Sequence, residues 1–211
     1  MHTFENVLVL APHTDDAEFA CGGTISRFIE SGVRVHCVAF SAAEESVPAG
    51  LPKDVLRAEM VKAMAVLGVG ESSLEILTYP VRHFPQHRQS ILEDLVRLAR
   101  GRNPDLVLLP STHDTHQDHK VISEEGFRAF KRTTILGYEV PWNNLTFVTN
   151  CFVSLEPRHA EKKLAALKCY YSQLGRDYID EDFIRSLLRT RGGQMGGRYA
   201  EAFEVVRWLV R

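Results

Sequence analysis

Four short apolar runs spaced along the first half of the chain limit its fold more than any other feature. Val7–Ala11, Val33–Ser41, Leu74–Tyr79 and Asp105–Pro110 are rich in Val, Ile and Leu, and a strand without polar alternation is one covered on both faces. The stretches between them carry helical spacing. Residues 24–30, closed by Ser31-Gly32, place Ile25, Phe28 and Ile29 on one face; Val55–Leu67 places Leu56, Met60, Met64 and Leu67 before Gly68. A third helix is predicted from about Gln86 to Arg100, with Ile91, Leu95 and Leu98, stopping near Gly101 and Pro104. Strand and helix in this rhythm form right-handed βαβ units, so the expected fold class is α/β, a mostly parallel sheet flanked by helices. Ligands of such sheets sit beyond the carboxyl ends of the strands.

After residue 119 the pattern changes. Thr134–Val140 and Leu145–Leu155 read as later strands, Arg158–Leu174 and Asp180–Arg191 as helices, and Phe203–Leu209 as a last strand. With no repeat, low-complexity tract or linker, residues 1–211 are expected to form a single domain. A chain of 211 residues buries roughly 70% of the surface its unfolded form exposes.

Two of these strand ends are loaded with the same residue types. Ala11-Pro12-His13-Thr14-Asp15-Asp16-Ala17-Glu18 follows the first run, and His113-Asp114-Thr115-His116-Gln117-Asp118-His119 follows the fourth. A catalytic zinc takes three His or carboxylate ligands and leaves a position for water, and His13, Asp16 and His119 can supply that set. Two imidazoles and one carboxylate favour zinc, or another divalent transition metal, over magnesium or calcium. Asp15 cannot easily join its neighbour on the same ion, but it can act as a general base. His116 can donate to an oxyanion or to a leaving nitrogen, and Asp118 can orient and charge His116.

Structural readings compete at each position. Asp15 or Asp16 alone could be a helix N-cap. Glu18 fits the first turn of the following helix, where a carboxylate favours the dipole and can bond the preceding loop; His113 and Asp114 are expected to shape their loop. Gly22-Gly23 stands too far from the first strand for a dinucleotide-binding G-x-G-x-x-G, so close backbone packing is expected there, and neither a G-x-S-x-G elbow nor a P-loop is present. The connections Ala42–Lys53 and Pro80–His87 are long enough to shape specificity or to be flexible surface.

A charge of -2, with 45% hydrophobic and 25% charged residues, gives no electrostatic reason to expect nucleic acid or an anionic membrane surface. A small-molecule partner is expected. Cys21, Cys37, Cys151 and Cys169 are widely spaced, without a C-x-x-C pair, and read as small buried hydrophobes. The first residues lack a basic segment and a signal-length apolar run, and no stretch is long enough for a transmembrane segment, so a cytoplasmic enzyme is expected.

Ala11-Pro12-His13-Thr14-Asp15-Asp16-Ala17-Glu18 with Gly22-Gly23, followed by His116-Gln117-Asp118-His119, resembles the PIG-L/LmbE-like zinc-dependent N-deacetylases. Lys168, Ser172-Gln173, Arg191-Gly192 and Tyr199–Phe203 are similar to further segments of that family. The resemblance implies a Rossmann-like fold, zinc on His13, Asp16 and His119, Asp15 as base, His116 as the electrostatic or acid group, and Asp118 in support of His116. It also implies the substrate class, an N-acetylated sugar or glycoconjugate, and leaves a homo-oligomer open. Arg57 and Glu59 look like a family feature. Arg57 and Arg191 are candidate substrate contacts, with a solvated helix face or an ion pair as the competing readings. Thr14 departs from the proline usual in the family, which should alter loop stiffness and leave the ligands in place.

The function expected is removal of acetyl from an N-acetylated amino sugar of the N-acetylglucosamine type. A zinc-dependent hydratase of an unsaturated acid on the same site is the alternative within enzymes, and a non-catalytic metal- or sugar-binding module is the alternative outside them.

Overall fold

The first strand predicted, β1 (Asn6–His13), lies in the interior of the sheet with every residue from Val7 to Pro12 buried. Its side chains divide by alternation. Val7, Val9 and Ala11 enter one apolar core, Leu8 and Leu10 a second on the other side of the sheet. The computed structural model, which describes residues 4–173, 175–176 and 179–210, continues in the order α1 (Asp16–Glu30), β2 (Arg34–Ser41), α2 (Val55–Leu67), β3 (Leu74–Ile76), α3 (Arg88–Arg102), β4 (Leu106–Pro110), α4 (Gln117–Ala129), β5 (Thr134–Tyr138), β6 (Cys151–Leu155), α5 (Pro157–Leu167), α6 (Glu181–Gln194) and β7 (Tyr199–Arg207). The sheet order is β3-β2-β1-β4-β5-β7-β6. The five strands from β3 to β5 pair in parallel, and β7 and β6 extend the sheet antiparallel. Residues of α1, α2, α5 and α6 fill the first core; α3 and α4 fill the second.

The chain moves outward from β1 to β2 and β3, then returns to the other side of β1 with β4. Order reverses between β1 and β4, and the crevice at such a switch point is where ligands bind. Both His/Asp clusters leave the sheet there.

Helix α4 is an element the sequence reading did not predict. Its apolar residues are few, and Gly126 interrupts a helical pattern. The glycine has a packing cause, because a Cβ there would lie 2.7 Å from Leu109 Cδ2 on β4. Helix α1 begins eight residues earlier than its apolar face implies, and it is broken at Cys21, where φ is -138°. The break frees backbone donors. Gly23 N–H donates to Glu201 Oε1 at 3.0 Å and Thr24 N–H to Glu201 Oε2 at 2.6 Å, while Lys163 Nζ lies 2.6 Å from the same carboxylate. A Cβ on Gly23 would meet Leu155 Cδ1 at 2.5 Å, so the glycine pair serves close packing. Helix α5 ends at Leu167 and a short 3₁₀ turn, Tyr171–Gln173, follows; Leu174, the predicted end, lies outside the described residues. All four cysteines are free, and Cys21 and Cys37 are buried while Cys151 and Cys169 are half-buried. Among the described residues, no helix is long and apolar enough to cross a membrane.

Candidate metal centre and cleft

β1 delivers His13 at its last position, and the chain turns at once into α1 through Asp15, whose φ is 84°. A left-handed conformation at a non-glycine residue is strained and marks a position held by its surroundings. Neither aspartate caps the helix with its side chain. Asp16 Oδ2 instead accepts from His13 N–H at 2.8 Å and lies 3.3 Å from His13 Nδ1. The same oxygen is 3.4 Å from Nε2 of His119 on α4. Ligands at 2.0–2.1 Å around a tetrahedral ion are about 3.3–3.4 Å apart, so both distances from Asp16 Oδ2 fit a shared divalent cation. The ligand nitrogens of His13, His116 and His119 also lie within 4.8 Å of one another. These residues can hold a metal.

The outward ring nitrogens are fixed by buried carboxylates, as is usual for ligating histidines. His13 Nε2 is 2.8 Å from Asp118 Oδ2, and His119 Nδ1 is 2.8 Å from Asp114 Oδ2. Two sequence expectations are corrected here. The Asp118 carboxylate bonds His13 in place of His116, whose charge it favours only at a distance, and accepts also from the N–H groups of Arg82 at 2.6 Å and Phe84 at 3.1 Å. Asp114 is more than a loop-shaping residue, for besides accepting from His116 N–H at 2.8 Å it orients His119. His113 is a loop residue as expected, its N–H on Ser111 Oγ and its carbonyl accepting from Leu145.

His116 caps α4. Its Nδ1 accepts the Asp118 N–H at 3.2 Å, which leaves the proton of the neutral ring on Nε2. Burial and the neighbouring His119 and His13 lower its pKa and keep it neutral. Burial opposes charge on His13 and His119 as well, but there the carboxylates win: Asp118 and Asp16 raise His13, and Asp16 and Asp114 raise His119 to about 10. Asp16, despite its burial, is held below the usual carboxylate range by the two imidazoles. Asp15 goes the other way, pushed well up by burial and by Asp16 and Glu18. Adjacent carboxylates thus differ in proton affinity, which suits one for binding and the other for proton transfer. Glu18 is fully buried and raised to about 7 by that burial; its Oε1 accepts from Tyr170 OH at 2.7 Å, so it bonds the chain after α5 and not the preceding loop.

A cleft of about 230 Å³ opens over these groups, lined by His13, Asp15, Asp16, His116 and His119. Both long connections contribute to its walls, through Ala43 and Ser46 and through Val81 and Arg82. Trp142, Asn143, Gln173 and Arg176 complete it, and none of them was singled out from sequence except Gln173. The Trp142 ring lies 4.6 Å from that of Phe19, another lining residue, tilted by 60°. Gln173 reaches the cleft because buried Glu59 on α2 holds the turn before it, accepting Ser172 N–H at 2.8 Å and Ser172 Oγ–H at 2.6 Å. The two arginines expected to contact substrate lie outside this lining. Arg57 donates to the Ile76 carbonyl at 3.1 Å, and Arg191 forms a forked ion pair with Glu139 and a 2.9 Å bond to Gln194. Thr14 N–H donates to Ser41 O at 3.2 Å, a bond that a proline there would lack.

Residues 8–130 match the PIG-L family model, described as GlcNAc-PI de-N-acetylase. The chain belongs to the PIG-L family. Over 96% of its length and 83% of the relative's, it is 25% identical to diacetylchitobiose deacetylase of Thermococcus kodakarensis. The solved diacetylchitobiose deacetylase of Pyrococcus horikoshii, bound to an inhibitor, superposes with a TM-score of 0.81 at 24% identity, covering 96% of this chain and 84% of that one. The 4-carboxy-2-hydroxymuconate hydratase GalB of Pseudomonas putida superposes at 0.80 with 20% identity, covering 98% of both chains. The α/β sheet of this PIG-L member is therefore shared by proteins named for two different reactions.

Proposed function

We propose that this PIG-L family chain is a zinc-dependent hydrolase that removes acetyl from an N-acetylated amino sugar or sugar conjugate. The observation that carries the reading is the convergence of His13 Nδ1, Asp16 Oδ2 and His119 Nε2 beside a carboxylate, Asp15, that lines the same cleft and makes no cap bond. His13, Asp16 and His119 would hold zinc or a similar divalent transition metal, which when bound would supply Lewis acidity to the reaction. Asp15 in its ionised form, its proton affinity raised by burial and by Asp16 and Glu18, takes the proton of the attacking water. His116 donates from Nε2 to the oxygen that gains charge as the carbonyl carbon becomes tetrahedral. The C–N bond then breaks, the proton held by Asp15 passes to the amine nitrogen, and acetate and a free amino sugar leave. Asp118 and Asp114 keep the two ligating rings in orientation throughout.

The test is a panel of acetylamino sugars with free amine and acetate read together, alongside metal analysis of the wild type and of Asp15→Asn. Matched release of amine and acetate by wild type, and a zinc-loaded but inactive Asp15→Asn, are expected. A fully active Asp15→Asn removes the base assignment, and absence of acetate from every sugar removes the deacetylase reading. The hydratase reading is favoured by one observation, two arginines in the cleft lining, which suit a carboxylated substrate; addition of water to an unsaturated acid without acetate release would select it.

A further inference from the structure

The chemistry above leaves part of the cleft without a task, and Arg82 is its least ordinary member. Arg82 has a φ of 71°, a conformation that glycine adopts freely and that other residues pay for in steric strain. The turn itself needs only the Arg82 N–H, which Asp118 accepts at 2.6 Å. A glycine would donate the same bond without strain. An arginine in that place is accounted for by its side chain, and such outliers gather where a ligand is bound.

The side chain also differs from those of six other arginines. Arg88, Arg97, Arg128, Arg158, Arg185 and Arg191 each sit against a carboxylate. Arg82 is exposed, lines the cleft and has no ion pair among the described residues. Arg176 lines the same cleft and lies close enough to Asp15 to act on its charge. An exposed guanidinium with no carboxylate against it suits an anionic group better than it suits the hydroxyls of a neutral sugar.

We infer that Arg82 anchors an anionic group of the substrate, a phosphate or a carboxylate, so that the N-acetylated sugar acted on is an acidic one; this rests on the deacetylase reading above. A guanidinium presents parallel N–H donors that match the paired oxygens of either group. Arg82 is then the residue that separates acidic from neutral sugars, and Asp118 ties its backbone to the ring of His13.

The experiment compares N-acetylglucosamine with its 1-phosphate, its 6-phosphate and N-acetylmuramic acid, using wild type, Arg82→Gly and Arg82→Lys. Glycine keeps the turn and its N–H, so Arg82→Gly removes the cation without disturbing the fold. At least one acid is expected to exceed the neutral sugar about tenfold in kcat/KM, and Arg82→Gly to cut that ratio about tenfold through KM, with part of it restored in Arg82→Lys. Which acid responds tells phosphate from carboxylate. Calorimetry of glucosamine 6-phosphate and muramic acid against glucosamine reads the anchor without turnover. An unchanged ratio in Arg82→Gly, or equal use of neutral and acidic sugars, overturns the anchor and leaves deacetylation standing. Acetate from none of the sugars, with tighter and Arg82-dependent binding of the acidic amines, removes the deacetylase reading and keeps the anchor. Neither acetate nor Arg82-dependent binding overturns both.

Discussion

The two His/Asp clusters are built from the same residue types and face the same cleft, yet their carboxylates do opposite work. At the end of β1, Asp15 and Asp16 point toward the space where substrate and metal would sit. At the end of β4, Asp114 and Asp118 are buried behind the imidazoles and hold their outward nitrogens. The difference comes from the backbone. The first cluster turns from strand to helix within two residues, through a strained Asp15, so that its acidic side chains are delivered to the crevice. The second runs through a loop before α4 begins, and His119 enters from the first turn of that helix with its acidic neighbours beneath. An aspartate near a metal site is assigned by what its oxygens touch and not by its distance in sequence.

The largest expected effect breaks the comparison from the first cluster. Asp15→Asn should lower kcat about 10³-fold, as loss of a general base does, with metal content unchanged by elemental analysis. From the second cluster the loss should appear in binding instead. Asp118→Asn and Asp114→Asn are each expected to weaken metal affinity about 10- to 100-fold, read by competition with a chelator, while kcat at saturating metal falls less than in Asp15→Asn. An Asp118→Asn protein that kept its metal affinity and lost only turnover would return Asp118 to His116.

The pH dependence sharpens the same contrast. His119 is raised to about 10 by Asp16 and Asp114 against its burial, so in metal-free protein its ion pairs contribute stability that is fully present below the unfolded imidazole value near 6.5 and is lost as pH rises through about 10. Metal must displace that proton, and apparent affinity should therefore climb about tenfold per pH unit for each proton released, up to about pH 10. Thermal melts with chelator and metal titrations over one pH range check both signs; affinity independent of pH between 7 and 9 would contradict the protonated His119. The smallest effect is expected at Arg191. Its side chain is paired with Glu139 and lies outside the cleft lining, so Arg191→Ala should cost roughly 2 kcal/mol in denaturant unfolding and change KM less than about twofold.

What was legible in the sequence follows from range. Continuous apolar runs are local signals, and they located β1, β2 and β4 to within a few residues. His and Asp at two strand ends likewise point to one crevice because a parallel sheet aligns those ends. Orientation beyond that was not legible. Asp118 precedes His119 by one residue and follows His116 by two, and spacing alone cannot show that its carboxylate reaches His13, 105 positions away. Trp142 and Arg82 sit on loops whose course is set by partners elsewhere, in the case of Arg82 by Asp118. Helix α4 was hidden by Gly126, whose cause is contact with Leu109 and not a local turn. For Arg57 and Arg191 the sequence shows charge on a helix near a site but not the partner, a carbonyl for one and a carboxylate for the other.

Asp118 accepts from His13, Arg82 and Phe84 with one buried carboxylate. Whatever tightens one of those bonds alters the position of the others. An ion drawn to His13 and an anion drawn to Arg82 therefore share a fulcrum, and linkage makes their effects reciprocal. If the anion raises affinity for the ion by some factor, the ion raises affinity for the anion by the same factor, and the apoprotein discriminates acidic from neutral ligands less sharply than the loaded one.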